Sequence, residues 1–173
     1  MQRETCAVAF VDVVGFTAGT ARYGDGYAAS IVDALEDAVR AALPPGARLV
    51  KLLGDGAMCV FPDPTDAVRA MTDVIAQLAA ARTAIEARAA VHFGLVTVRG
   101  DDVIGHVVNV TARLTARARP GEVLCSDAAR AAVHDDALVF ADRGVLDLRG
   151  IGGGLPVFGA HHRPIGCDVA FSG

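Results

Sequence analysis

At 173 residues, 53% of them hydrophobic and with a net charge of −4, the chain has the size and apolar content of one compact domain. It carries no block of Lys or Arg, which argues against nucleic acid as a partner, and no apolar run nears the roughly 18 to 20 residues needed to span a bilayer. Glu4 and Asp12 interrupt any N-terminal stretch of signal-peptide type, so a cytoplasmic chain is expected, and Cys6, Cys59, Cys125 and Cys167 form no CxxC pair, so free buried thiols are expected.

The segment 5–13 is apolar and β-branched and reads as a central strand carrying Asp12 near its end. Gly15-Phe16-Thr17 follows and leads into a helix start, and Gly24-Asp25-Gly26 marks a break. From 27 to 43 the residues Ile31, Leu35, Val39 and Leu43 recur every four positions, one helix face, and Pro44-Pro45-Gly46 stops it. Strands are predicted over 48–53 and 57–61, flanking a Gly54-Asp55-Gly56 hairpin. Asp63-Pro64-Thr65-Asp66 opens a second amphipathic helix bearing Val68, Met71, Val74, Ile75 and Leu78. A strand over 89–98, a turn over 99–102 and a helix over 106–118 come next. A short strand over 122–125 precedes a helix over 127–133 that Ser126 should cap. One or two strands over 138–148 and a last strand over 155–159 complete the order, with loop from 161 on. This order predicts an α+β fold, a mostly antiparallel sheet with helices on one face, in one domain over 1–160 with a tail over 161–173.

Asp12 and Asp55 each have an ordinary reading, as a strand-end aspartate and as a hairpin residue. Together they say more. If the hairpin lies beside the first strand, two carboxylates meet at one sheet edge and repel unless a cation separates them. Their hard oxygens suit Mg²⁺ or Mn²⁺, which take substrate phosphates as further ligands, and two such ions activate an attacking oxygen and stabilise a leaving one. Backbone amides after Gly15 suit phosphate. Asn109 and Arg113, four apart on a helix, share a face where Arg113 can bind phosphate oxygens in a forked geometry. Lys51, a donor inside an apolar strand, and Asp102, an acceptor, match the ring nitrogen and exocyclic amino group of adenine; their bland alternative is a surface ion pair. Arg117 continues the stripe of Asn109 and Arg113, which favours a plain polar face.

With these residues placed, the chain resembles a class III nucleotidyl cyclase catalytic domain. The likeness rests on the stretch from Phe10 to Thr17, on Lys51-Leu52-Leu53-Gly54-Asp55, and on Asp102 followed by Asn109 and Arg113. It runs from about Cys6 to Phe158. The resemblance implies a ferredoxin-like βααββαβ core and an adenylate cyclase that makes 3′,5′-cyclic AMP and pyrophosphate from ATP with two divalent cations. It implies that Asp12, Asp55 and the Val13 carbonyl hold the metals, and that Gly15, Phe16 and Thr17 meet the β and γ phosphates. It further implies that Lys51 and Asp102 select adenine, that Asn109 orients the ribose, and that Arg113 stabilises charge on the transferring phosphate. The metal aspartates and the other polar groups come from different protomers in this family, so a head-to-tail homodimer is implied. Many members carry a triphosphate-binding Lys near the end; Arg149 stands at the matching stretch. His106 replaces a common Asp. A guanylate cyclase, or a degenerate domain that binds nucleotide or dimerises without catalysis, are the alternatives.

Overall fold

The structure is a computed structural model that describes residues 2–164. In chain order the elements are β1 (Arg3–Val13), α1 (Phe16–Tyr23), α2 (Asp25–Ala42), β2 (Arg48–Leu52), β3 (Gly56–Phe61), α3 (Pro64–Ala79), β4 (Ala87–Arg99), β5 (Asp102–Ile104), α4 (His106–Arg117), β6 (Val123–Ser126), α5 (Asp127–Ala131), β7 (Leu138–Leu146) and β8 (Leu155–His162). The first seven follow the expected βααββαβ order. The sheet runs β2-β3-β1-β4-β6-β8-β7, with β5 on β4. All pairings are antiparallel except β4 with β6. Local signals act as read: Asp63 accepts the Thr65 N–H with Pro64 at the helix start, and Ser126 caps α5 through the Ala129 N–H.

Helices cover both faces of the sheet, which corrects the expectation of one. The reason lies in the strands. β3 is buried at every position and β1 is buried without a break from Cys6 to Ala9, so neither face can meet water. On one face Ile31 and Leu35 of α2 and Val68, Met71 and Val74 of α3 pack on Ala7, Ala9, Val11, Cys59 and Val91. On the other face α4 places Val107 against Cys6, Val8, Met58 and Val60, and Val110 and Leu114 against Ala90, Leu124 and Val157. Gly94 permits this approach: a Cβ there would lie 2.8 Å from a Val107 methyl.

The far end of β4 bends with β5 over that second face. Val96 and Val103 join Cys6, Val8, Met58 and Val60 in one buried cluster. Asp102, expected in a turn, is the first residue of β5; the turn is Gly100-Asp101, with Gly100 at φ 61°. β8 includes His161 and His162, paired with Val139 and Leu138, where loop was expected. The rest of the expected tail from 165, with Cys167, lies outside the described residues. Cys6, Cys59 and Cys125 are buried and free. No helix among the described residues is long and apolar enough to cross a membrane.

Candidate active site

Asp12 sits one residue before the end of β1, in register with Gly56 of β3 and Arg88 of β4. The Val13 N–H donates to the Asp55 carbonyl at 2.9 Å, which ties the hairpin to the strand end. Gly54 turns the hairpin at φ 74°. Gly56 lets the chains close: a Cβ there would lie 3.1 Å from the Val11 carbonyl and 3.3 Å from Asp12 Oδ1. Burial raises the Asp12 carboxyl above its usual range; a hydrogen bond from Arg88 opposes this, and the nearby Asp55 charge adds to it. That last effect is the repulsion expected of two convergent carboxylates.

Arg88 was not foreseen. Its Nη2 donates to Asp12 Oδ2 at 3.2 Å and its Nη1 to the Ala116 carbonyl at 3.1 Å. Its Nε is buried without a partner among the described residues. The sequence signal for it is a lone charge in the run Ala87-Arg88-Ala89-Ala90, just outside the strand expected over 89–98. Asp12 also borders a cavity of about 210 Å³ shared with Phe10, Leu53 and the α4 residues Ala112, Thr115 and Ala116.

Two carboxylates and a backbone carbonyl are all-oxygen donors, and among the described residues no group of three or more His, Cys, Asp or Glu comes together. Such a set does not cage a cation alone. It fits Mg²⁺ or Mn²⁺, which keep waters and bind through one or two carboxylates plus substrate phosphates. The chain leads from Asp12 and Val13 straight into a helix start. Gly15 precedes α1 at φ 73°, and Phe16 and Thr17 are the first helical residues, whose amides have no acceptor inside the helix. Phe16 packs on the core while Thr17 is exposed.

Lys51 and Asp102 are 51 residues apart and in contact. Lys51 Nζ lies 2.7 Å from Asp102 Oδ2, with the two side chains 38% and 39% exposed. A register shift between Leu49 and Lys51 in β2 pairs Lys51 with Met58, on the face over which β5 folds. Arg48 Nη1 donates to the Asp101 carbonyl and anchors the turn beside it. The Lys51 ammonium holds the Asp102 carboxyl below its usual range, and the Val103 amide adds to this.

Asn109 and Arg113 are both exposed on α4. Arg113 Nη1 donates to the Arg149 carbonyl. It lies over Gly150, where a Cβ would come within 3.2 Å of it, and Gly150 turns at φ 73°. The expected residues thus form three groups: Asp12, Val13 and Asp55 beside Gly15, Phe16 and Thr17; Lys51 with Asp102; and Asn109, Arg113 and Arg149. Among the described residues no hydrogen bond or ion pair joins Asn109 or Arg113 to either aspartate, and Arg149 contributes a carbonyl. Arg117 is exposed at the end of the same helix, and His106 begins it.

Residues 1–158 match the family of adenylate and guanylate cyclase catalytic domains. An uncharacterised protein of Mycobacterium tuberculosis is 32% identical over 167 residues, which cover 95% of this chain and 43% of that protein. A pH-sensitive adenylate cyclase of the same species is 32% identical over 87% of this chain and 39% of its own length. An adenylate cyclase of Streptomyces coelicolor is 37% identical over 70% of this chain and 32% of its own. The chain therefore spans less than half the length of these relatives. The fold matches the guanylate cyclase domain of a Catenaria anguillulae protein solved with GTP, at TM-score 0.84 and 22% identity over 95% of this chain and 100% of that one. It also matches an adenylyl cyclase of P. aeruginosa, at TM-score 0.79 and 22% identity over 95% and 97%.

Proposed function

This chain belongs to the adenylate and guanylate cyclase catalytic domain family, and on that premise we propose that it is an adenylate cyclase whose sites are shared by two copies of the chain. It converts ATP to 3′,5′-cyclic AMP and pyrophosphate, with two divalent cations, Mg²⁺ or Mn²⁺, and works in the cytoplasm, where ATP is at hand. The observation that carries the choice of base is the Lys51–Asp102 contact at 2.7 Å, with both side chains partly open to solvent. Adenine offers a ring-nitrogen acceptor to Lys51 and an amino donor to Asp102. Guanine offers the reverse and would want an acceptor at position 51.

Asp12, Asp55 and the Val13 carbonyl hold the cations. When bound, these lower the pKa of the ribose 3′-hydroxyl and neutralise phosphate charge. The amides that follow Gly15, those of Phe16 and Thr17, bind the β and γ phosphates. Asn109 orients the ribose. The 3′-oxygen attacks the α-phosphorus, the bond to the bridging oxygen breaks, and pyrophosphate leaves with that electron pair. Arg113 stabilises the charge that builds on the transferring phosphate, and Arg149 meets the triphosphate.

Two features support sharing between copies. Among the described residues no hydrogen bond or ion pair joins Asn109 or Arg113 to Asp12 or Asp55 of the same chain. Leu52, Leu53, Leu95 and Ile104 are between 36% and 53% exposed, apolar surface that a second copy would cover. Product formation from ATP and from GTP, each with Mn²⁺ and with Mg²⁺ at several protein concentrations, tests the proposal. Cyclic AMP from ATP, with specific activity rising with concentration, is expected. Cyclic GMP as the main product would overturn the base assignment, and no cyclic product from folded dimer would overturn the enzyme.

A further inference from the structure

Arg88 touches two parts of the chain that the shared-site reading assigns to different active sites. One hand of its guanidinium holds Asp12, which serves the cations of one site. The other holds the carbonyl of Ala116, in the last turn of α4 and three residues past Arg113, which serves the other site. That carbonyl has no partner within the helix, because position 120, four residues on, is Pro and carries no N–H. A cation from a neighbouring strand caps it instead. Since Arg88 Nε is buried with no partner among the described residues, the placement of the guanidinium rests on these two bonds.

We propose that Arg88 is a positioning residue through which occupation of one shared site weakens the other; the proposal rests on the shared-site reading above. The guanidinium and an arriving cation are like charges over one carboxylate. Binding at Asp12 therefore pushes Arg88 off its seat. The Ala116 carbonyl then loses its partner and the last turn of α4 loosens. Arg113 lies one turn upstream on that helix, so the site it serves binds phosphate less well. The first ligand thus disfavours the second.

The test is calorimetric titration of the dimer with Mn²⁺ and 3′-deoxy-ATP, which lacks the attacking hydroxyl. Two events are expected, the second weaker by about tenfold, the low end of what a hydrogen bond from a charged group contributes. In Arg88→Met the two events should become equal. Equal affinities in the unaltered dimer would overturn the coupling and leave the shared site standing. One full-affinity site per monomer, independent of protein concentration, would overturn both.

A second measurement does not depend on that variant folding. An isotope-labelled Arg113→Ala protomer paired with an Asp12→Ala protomer has one intact site, which uses the labelled protomer's Asp12. The labelled protomer's own α4 then touches no ligand. The Ala118 amide, which donates to the Leu114 and Thr115 carbonyls, should exchange faster in that protomer when Mn²⁺ and 3′-deoxy-ATP bind. Unchanged exchange at saturation would overturn the coupling.

Discussion

Replacing Lys51 by Glu and Asp102 by Cys together should turn the chain from ATP toward GTP without unfolding it. Both side chains are nearly two-fifths exposed, so their ion pair contributes about 0.2 to 1 kcal/mol to stability. In a chain of this size a loss of about 1 kcal/mol lowers Tm by roughly 2 to 4 °C. Removing Asp102 together with Lys51 also avoids leaving two carboxylates face to face. The effect on base choice is larger. Two hydrogen bonds that each involve a charged group, one donated by Lys51 and one accepted by Asp102, at about 1.5 kcal/mol each, come to about 3 kcal/mol. That is about a hundredfold in the ratio of kcat/KM for ATP to that for GTP. The assay is kcat/KM for each nucleotide on protein shown by thermal melting to be folded and by sedimentation to be dimeric. A ratio within about twofold of the original would remove both residues from base selection.

Asp12→Asn should stabilise the fold at neutral pH. The folded carboxyl titrates above its usual range, mainly through burial, so its contribution to stability falls as pH rises from the usual carboxylate range through the raised value. The variant should therefore melt higher at pH 7, and the two proteins should melt together well below the carboxylate range; an equal Tm at pH 7 would contradict this. Leu114→Ala should cost about 2 to 5 kcal/mol in denaturant titration, because Leu114 is fully buried between α4 and the sheet. A loss below about 1 kcal/mol would mean that α4 does not pack there. Cys6, Cys59 and Cys125 should resist alkylation at pH 8 until the protein unfolds, since burial pushes Cys59 up to about 12, Cys6 to about 11, and Cys125 up as well. Peptide mapping that finds any of the three labelled in native protein would refute their burial.

Local patterns carried much of this fold. The four-residue recurrence of Ile31, Leu35 and Val39 marked the buried stripe of α2, and Gly54-Asp55-Gly56 marked the hairpin. The apolar run before Asp12 marked a central strand. The same run reads as a strand buried on both faces, and such a strand needs cover on both; the expectation of helices on one face left out the cover that α4 provides. Asp102 is a different case. No local signal distinguishes a turn residue from the first residue of a three-residue strand, and its contact with Lys51 depends on β4 bending over the sheet. Arg88 becomes meaningful only through the β1–β4 register, which pairs it with Asp12. That no hydrogen bond or ion pair joins Asn109 or Arg113 to the two aspartates among the described residues is likewise a matter of how α4 packs.

The most direct test of the shared site is complementation. Asp12→Ala and Arg113→Ala proteins, each purified and assayed alone with ATP and Mn²⁺, should be nearly inactive. Mixed in equal amounts and allowed to exchange subunits, half of the dimers become heterodimers with one intact site. Activity should then return to about a quarter of the unaltered protein's, on a statistical count of sites. No recovery, after subunit exchange has been verified with a labelled protomer, would contradict a site built from two copies of the chain.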